Sequence, residues 1–353
     1  MPFSSLLDRF NEPETLKMAK LGRELRAQGA DIIDLSLGEP DFDTPQHIKE
    51  AAIQAINDNW SHYTPVPGLP DVRAAVCEKL KRDNQLIYTP EQIVTSTGAK
   101  QSLANAILAL VDEGDEVIIP TPFWVTYSEL VKIARGKVVT IRTSVASSFK
   151  ISPEELEQNI TSATKVFMFS SPCNPSGAVY SREELAALVK VFEQHPNIYI
   201  IADEIYEYIN YVGEHASIAS FDSIKDRVLL INGLSKGFAM TGWRFGYMAA
   251  HPSIAKACEK IQGQFTSATS SITQKAAIAA LTGTLEPSKQ MTAAFEERKK
   301  KTLELISQIP GLKCFIPEGA FYVFPDVTAY YGKKSSQGII EDAASLSMYL
   351  LHK

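Results

Sequence analysis

Cysteine is scarce in this chain. Cys77, Cys173, Cys258 and Cys314 are scattered through 353 positions with no C-x-x-C pair. That spacing excludes a thiolate metal knuckle and a disulfide-stapled scaffold, and predicts free thiols in a reducing cytoplasm. The six histidines form no H-x-x-x-H or other ligand cluster, so each is expected as a solvated or core imidazole and no metal site is expected. No apolar run approaches the roughly 18 residues of a membrane span. The opening MPFSSLLDRFNEPETLK has no basic stretch leading into an apolar one, which argues against a secretory leader. Positive charge is not in excess: 35 Lys and Arg against 41 Asp and Glu give a net charge of −6. That balance disfavours nucleic acid and acidic membranes as partners. Internal repeats and low-complexity tracts are absent. What remains, 45% hydrophobic and 22% charged residues, is the composition of a globular protein of about two domains.

One stretch organises the chain: Ile231-Asn-Gly-Leu-Ser-Lys-Gly-Phe-Ala-Met-Thr-Gly-Trp-Arg-Phe-Gly-Tyr247. Buried strands are predicted at 227–231 and 245–250, with a glycine-punctuated loop between them. The loop carries Lys236 among small or apolar neighbours, Ser235, Gly237 and Phe238. A lysine held among apolar groups and near other cations has a lowered pKa, which frees its amine as a nucleophile toward carbonyls. Arg244 supplies a permanently charged fork suited to a phosphate dianion. An amine able to form a Schiff base beside a phosphate anchor is what a pyridoxal phosphate site needs.

Upstream, helical periodicity is predicted over 14–28, with Gly29 as a stop, and over 45–58 and 71–83. A short strand, 32–37, is predicted to run into the turn Gly38-Glu-Pro-Asp. Gly38 reads as a plain turn or as a place where backbone approaches a ligand closely. The proline-rich Ser61–Pro70 loop is a fixed excursion carrying Tyr63. From position 93 strands and helices alternate, with strands predicted at 93–95, 116–119, 138–142, 165–169 and 197–202. Helices are predicted at 101–111, 152–159 with Ser152 as N-cap, and 181–193. The turn Gly98-Ala99-Lys100 opens a helix and offers free N–H groups to an anion, although it is not a P-loop. Trp124 is either core or a platform for an aromatic ring. Asn174-Pro175 ends a strand as a turn. Asp203 stands at a strand's carboxyl end, where ligands of open α/β sheets gather, or is a helix N-cap. Glu204 and Glu207 are expected at the surface. Helices over 252–264, 270–281 and 287–307 follow, the last with a solvated charge run at 296–301. Strands at 313–316 and 321–324 are expected in a smaller α+β domain.

Ser235-Lys-Gly-Phe-Ala-Met-Thr-Gly-Trp-Arg-Phe-Gly-Tyr247 resembles the lysine signature of class I/II aminotransferases, in the fold-type I group of pyridoxal phosphate enzymes, and is most similar to the bacterial aspartate enzymes. The segments LSLGEPDFDTP, TGAKQSL, SSPCNPSG, ADEIYE and EGAFYVFPDV carry the same resemblance along nearly the whole chain. It implies an α/β fold: a large domain over 46–285, with a mostly parallel sheet between helices, and a small α+β domain from 1–45 and 286–353. It implies transfer of an amino group between an L-amino acid, aspartate first, and a 2-oxo acid such as 2-oxoglutarate, through a Lys236 Schiff base. Lys236, Asp203 and Tyr206 are the implied catalytic residues. Cofactor contacts fall to Gly98, Ala99, Lys100, Trp124, Asn174, Asp203, Tyr206, Ser235, Lys236 and Arg244. Tyr63 is implied to reach the phosphate of a neighbouring subunit in a homodimer. Gly38, Trp124 and Asn174 are implied to bind substrate, with Lys100 and Thr15 as candidates for its distal carboxylate, and the Asn174–Pro175 peptide is expected to be cis.

Two features depart from the family. Gly233 stands where some relatives carry a phosphate-binding serine, which leaves that task to Ser235. The last arginine is Arg298, inside a helix, and the arginine that clamps the substrate carboxylate in the family has no counterpart after it. Either the chain is part of a longer one, or amino-acid binding is weakened by several kcal/mol while cofactor binding stays. The rival expectations are another enzyme of the same fold (an alanine, aromatic or prephenate aminotransferase, or a C–S lyase) and a non-catalytic binding protein built on it.

Overall fold

Val- and Ile-rich runs form the strands, because β-branched side chains pack well on a buried, pleated surface. The computed structural model describes residues 3–12, 14–35 and 37–353, without the side chains of 14–16. Seven strands make one sheet: β1 (Ile93–Ser96), β2 (Glu116–Pro120), β3 (Lys137–Ile141), β4 (Thr164–Ser170), β5 (Tyr199–Asp203), β6 (Val228–Gly233) and β7 (Gly246–Ala249). Their order is β1-β7-β6-β5-β4-β2-β3. All pairs are parallel except those of β7, which runs antiparallel to both β1 and β6.

Both faces of the sheet are covered, so its strands read as continuous apolar runs rather than alternating ones. Phe167, Ile200 and Leu230 face one core cluster; Met168, Ile201 and Leu229 face the other. Helices α1 (Glu14–Ala27), α2 (Gln46–Asn57) and α3 (Pro70–Asn84) precede the sheet. Within and after it come α4 (Ala99–Leu110), α5 (Thr126–Ile133), α6 (Pro153–Asn159), α7 (Arg182–Gln194), α8 (Pro252–Phe265), α9 (Ser271–Thr282) and α10 (Glu286–Ser307). Side chains of α3, α7 and α9 fill the first cluster and those of α4, α5 and α8 the second. Ser152 caps α6 and Ser181 caps α7, each accepting a bond from the backbone N–H three residues on.

Two predicted strands do not form. Residues 32–35 and 37 are irregular, with Ile33 and Leu35 84% and 90% exposed; no ladder partner lies beside them among the described residues. Residues 321–324 are irregular as well. Phe321 turns inward onto Phe295 and Tyr206, and Tyr322 onto Tyr206, in place of joining a ladder. The pairing falls on either side of them, between β8 (Lys313–Cys314) and β9 (Pro325–Asp326). A short ribbon of β10 (Lys334–Ser335) and β11 (Gly338–Ile339) and the helix α11 (Ala343–Leu351) complete the chain.

Glu204 and Glu207, expected at the surface, are buried. The turn after β5 points them away from solvent toward α3 and the 215–217 segment. The Lys79 ammonium donates to Glu207, which also accepts from Asn84 at 2.9 Å. Glu204 accepts from Ser217 at 2.6 Å and pairs with His215 at 2.9 Å. The periodicity of α3 does not announce this, because Lys79 lies on its apolar face and its partner lies 128 residues on. Removing one partner of such a pair strands the other charge, at about 3–5 kcal/mol, whereas an exposed pair contributes about 1 kcal/mol or less. Glu207→Gln is therefore expected to lower the urea unfolding free energy by about 3–5 kcal/mol. Glu297→Gln, which breaks the exposed pair with Lys300 on α10, should change it by under about 1 kcal/mol.

Candidate active site

One edge of the sheet collects the chemistry. The parallel strands β1, β2, β4, β5 and β6 all end there, and antiparallel β7 begins there, so the 234–245 loop between β6 and β7 lies along the same edge. Ligands in open α/β sheets bind at that position. A cavity of about 300 Å³ opens there, lined by residues of all five connections, Lys100, Trp124, Asn174, Asp203, Lys236 and Arg244 among them.

Lys236 is largely buried, and its Nζ donates to the Gly38 carbonyl. Burial brings its pKa down from the ordinary 10.5 to about 8; Arg244 adds to the effect, while Glu39 and Asp203 oppose it. Asp203 ends β5. The two-residue period of the strand puts it on the face of Ile201, toward α4 and α5. Its Oδ2 accepts from Tyr127 Oη at 2.6 Å and its Oδ1 from the Ile205 N–H at 3.2 Å. Burial raises its pKa from 3.8 to about 6, although both hydrogen bonds and Lys236 pull the other way. The bond to Ile205 closes a turn after β5, where no helix begins, so Asp203 is not a helix N-cap and its carboxylate lines the cavity.

The opposite wall is an anion cradle. Gly98, at φ +83°, precedes α4, and no side chain caps that helix, so its first N–H groups and dipole face the cavity. Arg244 Nη1 donates to the Thr241 carbonyl at 2.8 Å. A Cβ on residue 98 would lie 2.3 Å from Arg244 Nη2, and one on Gly246 would lie 2.2 Å from the Ala99 N atom. Both glycines are what let the guanidinium and β7 press against the start of α4. Ser235 is buried in the same wall. Lys100 Nζ sits 4.7 Å above the Trp124 ring, and burial, then Arg244, lowers its pKa.

The expected site residues Gly38, Ala99, Lys100, Trp124, Asn174, Asp203, Tyr206, Ser235, Lys236 and Arg244 thus line one cavity, and Gly98 abuts it through Arg244. The Asn174–Pro175 peptide is cis. Tyr63 is not among them: it is 99% exposed, outside its own chain's cavity. Arg298 is also elsewhere, paired with Asp41 at 2.7 Å on α10. The Thr15 side chain lies outside the described residues.

The sequence matches the family described as "Aminotransferase class I and II" over residues 30–351. The chain belongs to the class I and II aminotransferases. It is 43% identical to an aspartate/prephenate aminotransferase of Cereibacter sphaeroides across 98% of this chain and 88% of the other. It is 46% identical to an aspartate aminotransferase of Bacillus subtilis across 88% and 80%. The solved aspartate aminotransferase of Rhizobium meliloti superposes with a TM-score of 0.96 at 39% identity, covering all of this chain and 89% of that one. The Thermus thermophilus enzyme, solved with maleate, does so at 0.88 and 38%, covering 93% and 86%. This aminotransferase therefore has the fold-type I architecture.

Sequence reasoning missed two phenols in the aminotransferase pocket. Tyr127 was visible in the first turn of α5, three positions after Trp124, whose ring it meets edge to face at 5.8 Å. Tyr322 sits in the EGAFYVF segment, where the expected strand hid its inward turn.

The lowered pKa of Lys236 can be read without any ligand. In reductive methylation followed by peptide mass spectrometry, Lys236 should reach half its limiting reactivity near pH 8. Lys300, whose pKa is raised by Glu297, should reach it above 10.5. The same shift makes the unfolded chain bind the extra proton between pH 8 and 10.5. Stability should therefore rise with pH across that window on account of this group.

Proposed function

We propose that this enzyme transfers an amino group between an L-amino acid and a 2-oxo acid, with pyridoxal 5′-phosphate held by Lys236, and that aspartate with 2-oxoglutarate is its first substrate pair. The observation that carries this reading is the meeting of three groups in one cavity: an amine with a pKa of about 8, a buried carboxylate and an uncapped helix start beside an arginine. The residues fit the group. The absence of a Cβ at Gly98 is what lets the Arg244 guanidinium lie beside the start of α4. The donors gathered there, the first N–H groups of α4, Ser235 and Arg244, are those a phosphate dianion requires.

When bound, the cofactor supplies an aldehyde for amine capture and a ring that stores the electron pair left by breaking a bond at the substrate Cα. Lys236 would hold the cofactor through its neutral amine, and that amine, when free, would take and return the substrate Cα proton at Nζ. Asp203, steadied by the Tyr127 hydroxyl, would supply a negative charge to a protonated ring nitrogen. Tyr206 would donate a hydrogen bond to the ring oxygen, Trp124 would pack on the ring, and Asn174 and Gly38 would orient the substrate. Lys100, a cation at the rim of the cavity, is assigned to the distal carboxylate of a dicarboxylic substrate.

The reading includes a homodimer with shared sites, in which Tyr63 reaches the neighbour's phosphate. Its exposure supports this, as do Ile53 and Ile56 standing more than half exposed on α2. The division into a large domain, 46–285, and a small one from both ends belongs to the same proposal, supported by the two-stranded ribbons that lie outside the main sheet. So does a cytoplasmic location, supported by four free cysteines. Among the described residues no helix is long and apolar enough to cross a membrane.

The test is the visible spectrum of the protein with excess pyridoxal phosphate. A visible band should appear and be converted on adding aspartate, and 2-oxoglutarate should restore it. Prephenate, offered as acceptor in parallel, ranks the second name carried by the Cereibacter relative. Lys236→Ala should abolish the band and lower turnover by at least about 10³-fold. A wild-type protein that stays colourless overturns the reading.

A further inference from the structure

Tyr322 is held with unusual firmness for a residue in an irregular segment. The Glu318 and Gly319 N–H groups both donate to the Gly177 carbonyl, at 2.8 and 2.9 Å, and the Ala320 N–H donates to the Ile209 carbonyl at 2.7 Å. The Tyr211 N–H donates to Glu318, and its hydroxyl to the Ala320 carbonyl. The segment is thus tied to the loop after Asn174 and to the loop after Tyr206. Tyr322 packs edge-on to Tyr206 with ring centroids 5.6 Å apart. On its other side there is room only for a glycine, since a Cβ on Gly38 would lie 2.2 Å from the Tyr322 hydroxyl.

These ties place Tyr322 Oη 2.6 Å from Tyr206 Oη. Each phenol has one proton to give. Asn174 Nδ2 donates to Tyr322 Oη at 3.4 Å, so the Tyr322 oxygen serves as acceptor there and its proton is free for Tyr206. Burial raises both phenols, Tyr322 to about 12 and Tyr206 well above its ordinary value, so both keep their protons at neutral pH. With Tyr322 Oη taken as acceptor by Asn174 and donating to Tyr206, the proton of Tyr206 is left facing the cavity. The other groups facing the pair are Lys236, 6.0 Å from the Tyr206 ring, Asp203 at the end of β5 and Tyr127 on α5.

We propose that Tyr322 is a positioning residue of the reaction centre, donating to Tyr206 so that the Tyr206 proton is aimed at the cofactor's ring oxygen and given up to it more strongly. This rests on the pyridoxal phosphate reading above. Donation along a chain of hydroxyls polarises each member, so the last donor is stronger than it would be alone. A stronger donor draws negative charge from the ring oxygen. That charge otherwise steadies the proton on the Lys236 nitrogen, so the linked nitrogen loses its proton at a lower pH when Tyr322 is in place.

The experiment is a pH titration of the visible band in the loaded wild type, Tyr322→Phe, Tyr206→Phe and the double variant, with far-ultraviolet circular dichroism confirming that each is folded. Phenylalanine keeps the ring packing and removes only the hydroxyl. Tyr322→Phe should raise the midpoint by about half a pH unit, the size expected of one neutral hydrogen bond, and Tyr206→Phe should raise it further. The double variant should match Tyr206→Phe, because Tyr322 acts through Tyr206. A Tyr322→Phe midpoint equal to the wild type overturns the inference, as does a Tyr322 effect that persists undiminished in the Tyr206→Phe background. A wild type with no visible band defeats the cofactor reading itself, and the two failures are told apart by that band.

Discussion

An ammonium moved from water into an apolar pocket loses hydration that few protein contacts replace. Lys236 meets that constraint by releasing its proton near pH 8. The result is tuned from both sides: Glu39 and Asp203 favour the charged form, and Arg244 opposes it. Were burial unopposed, the amine would be neutral but far from any proton it could return. With the carboxylates present it sits where both protonation states are accessible, which is the condition for a group that must be nucleophile and then acid or base. The antiparallel β7 serves the same end. Because it reverses direction beside β6, the lysine and the arginine that depresses its pKa emerge at the same edge of the sheet.

A second constraint is the crowding of acids after β5. Asp203, Glu204 and Glu207 fall within five residues, and Glu204 adds to the burial that raises Asp203 toward 6. The turn separates them by direction. Asp203 faces the cavity and Tyr127, while Glu204 and Glu207 face the far side. There Lys79 answers one acid, and His215 the other: burial opposes charge on His215, but Glu204 overrides it and raises its pKa. The charged pairs behind the loop thus tie it to α3 and the 215–217 segment, while Asp203 is the acid turned toward the cavity.

Much of the site was legible because its residues sit in contiguous segments whose local chemistry is unusual. A lysine among small apolar residues, glycines ahead of an uncapped helix and an Asn-Pro at a strand end are each readable without tertiary information. The parallel core was legible for the same reason: strands buried on both faces leave continuous apolar runs in the sequence. What was not legible depends on partners far along the chain. The burial of Glu207 follows from Lys79, 128 residues away, and neither neighbourhood announces the other. Residues 32–37 and 321–324 have strand-forming composition, yet a strand also needs an edge to join. For Phe321 and Tyr322 the competing opportunity, packing on Tyr206 and Phe295, prevailed.

The approach of Gly38 to Tyr322 shows how distant parts of the chain close one cavity. They lie 284 residues apart (322 − 38), yet a Cβ on the one would meet the hydroxyl of the other. Closing so long a loop costs only slightly more than closing a short one, because the penalty grows with the logarithm of length. The harder requirement is registry to a fraction of an ångström, which length does not help. It is met locally, by the amide bonds that tie residues 318–320 to the Gly177 and Ile209 carbonyls, and by Lys236, whose amine holds the Gly38 carbonyl. Each such bond contributes about 0.5–1.5 kcal/mol net, so several together can outweigh the ordering of a short irregular segment at about 1–2 kcal/mol per residue only when ring packing adds to them. That is why the segment sits in an aromatic cluster, with Phe321 against Tyr206, Phe295 and Tyr322, and Tyr322 against Tyr206 at the cavity. The same packing that orders the segment fixes the direction of its hydroxyls.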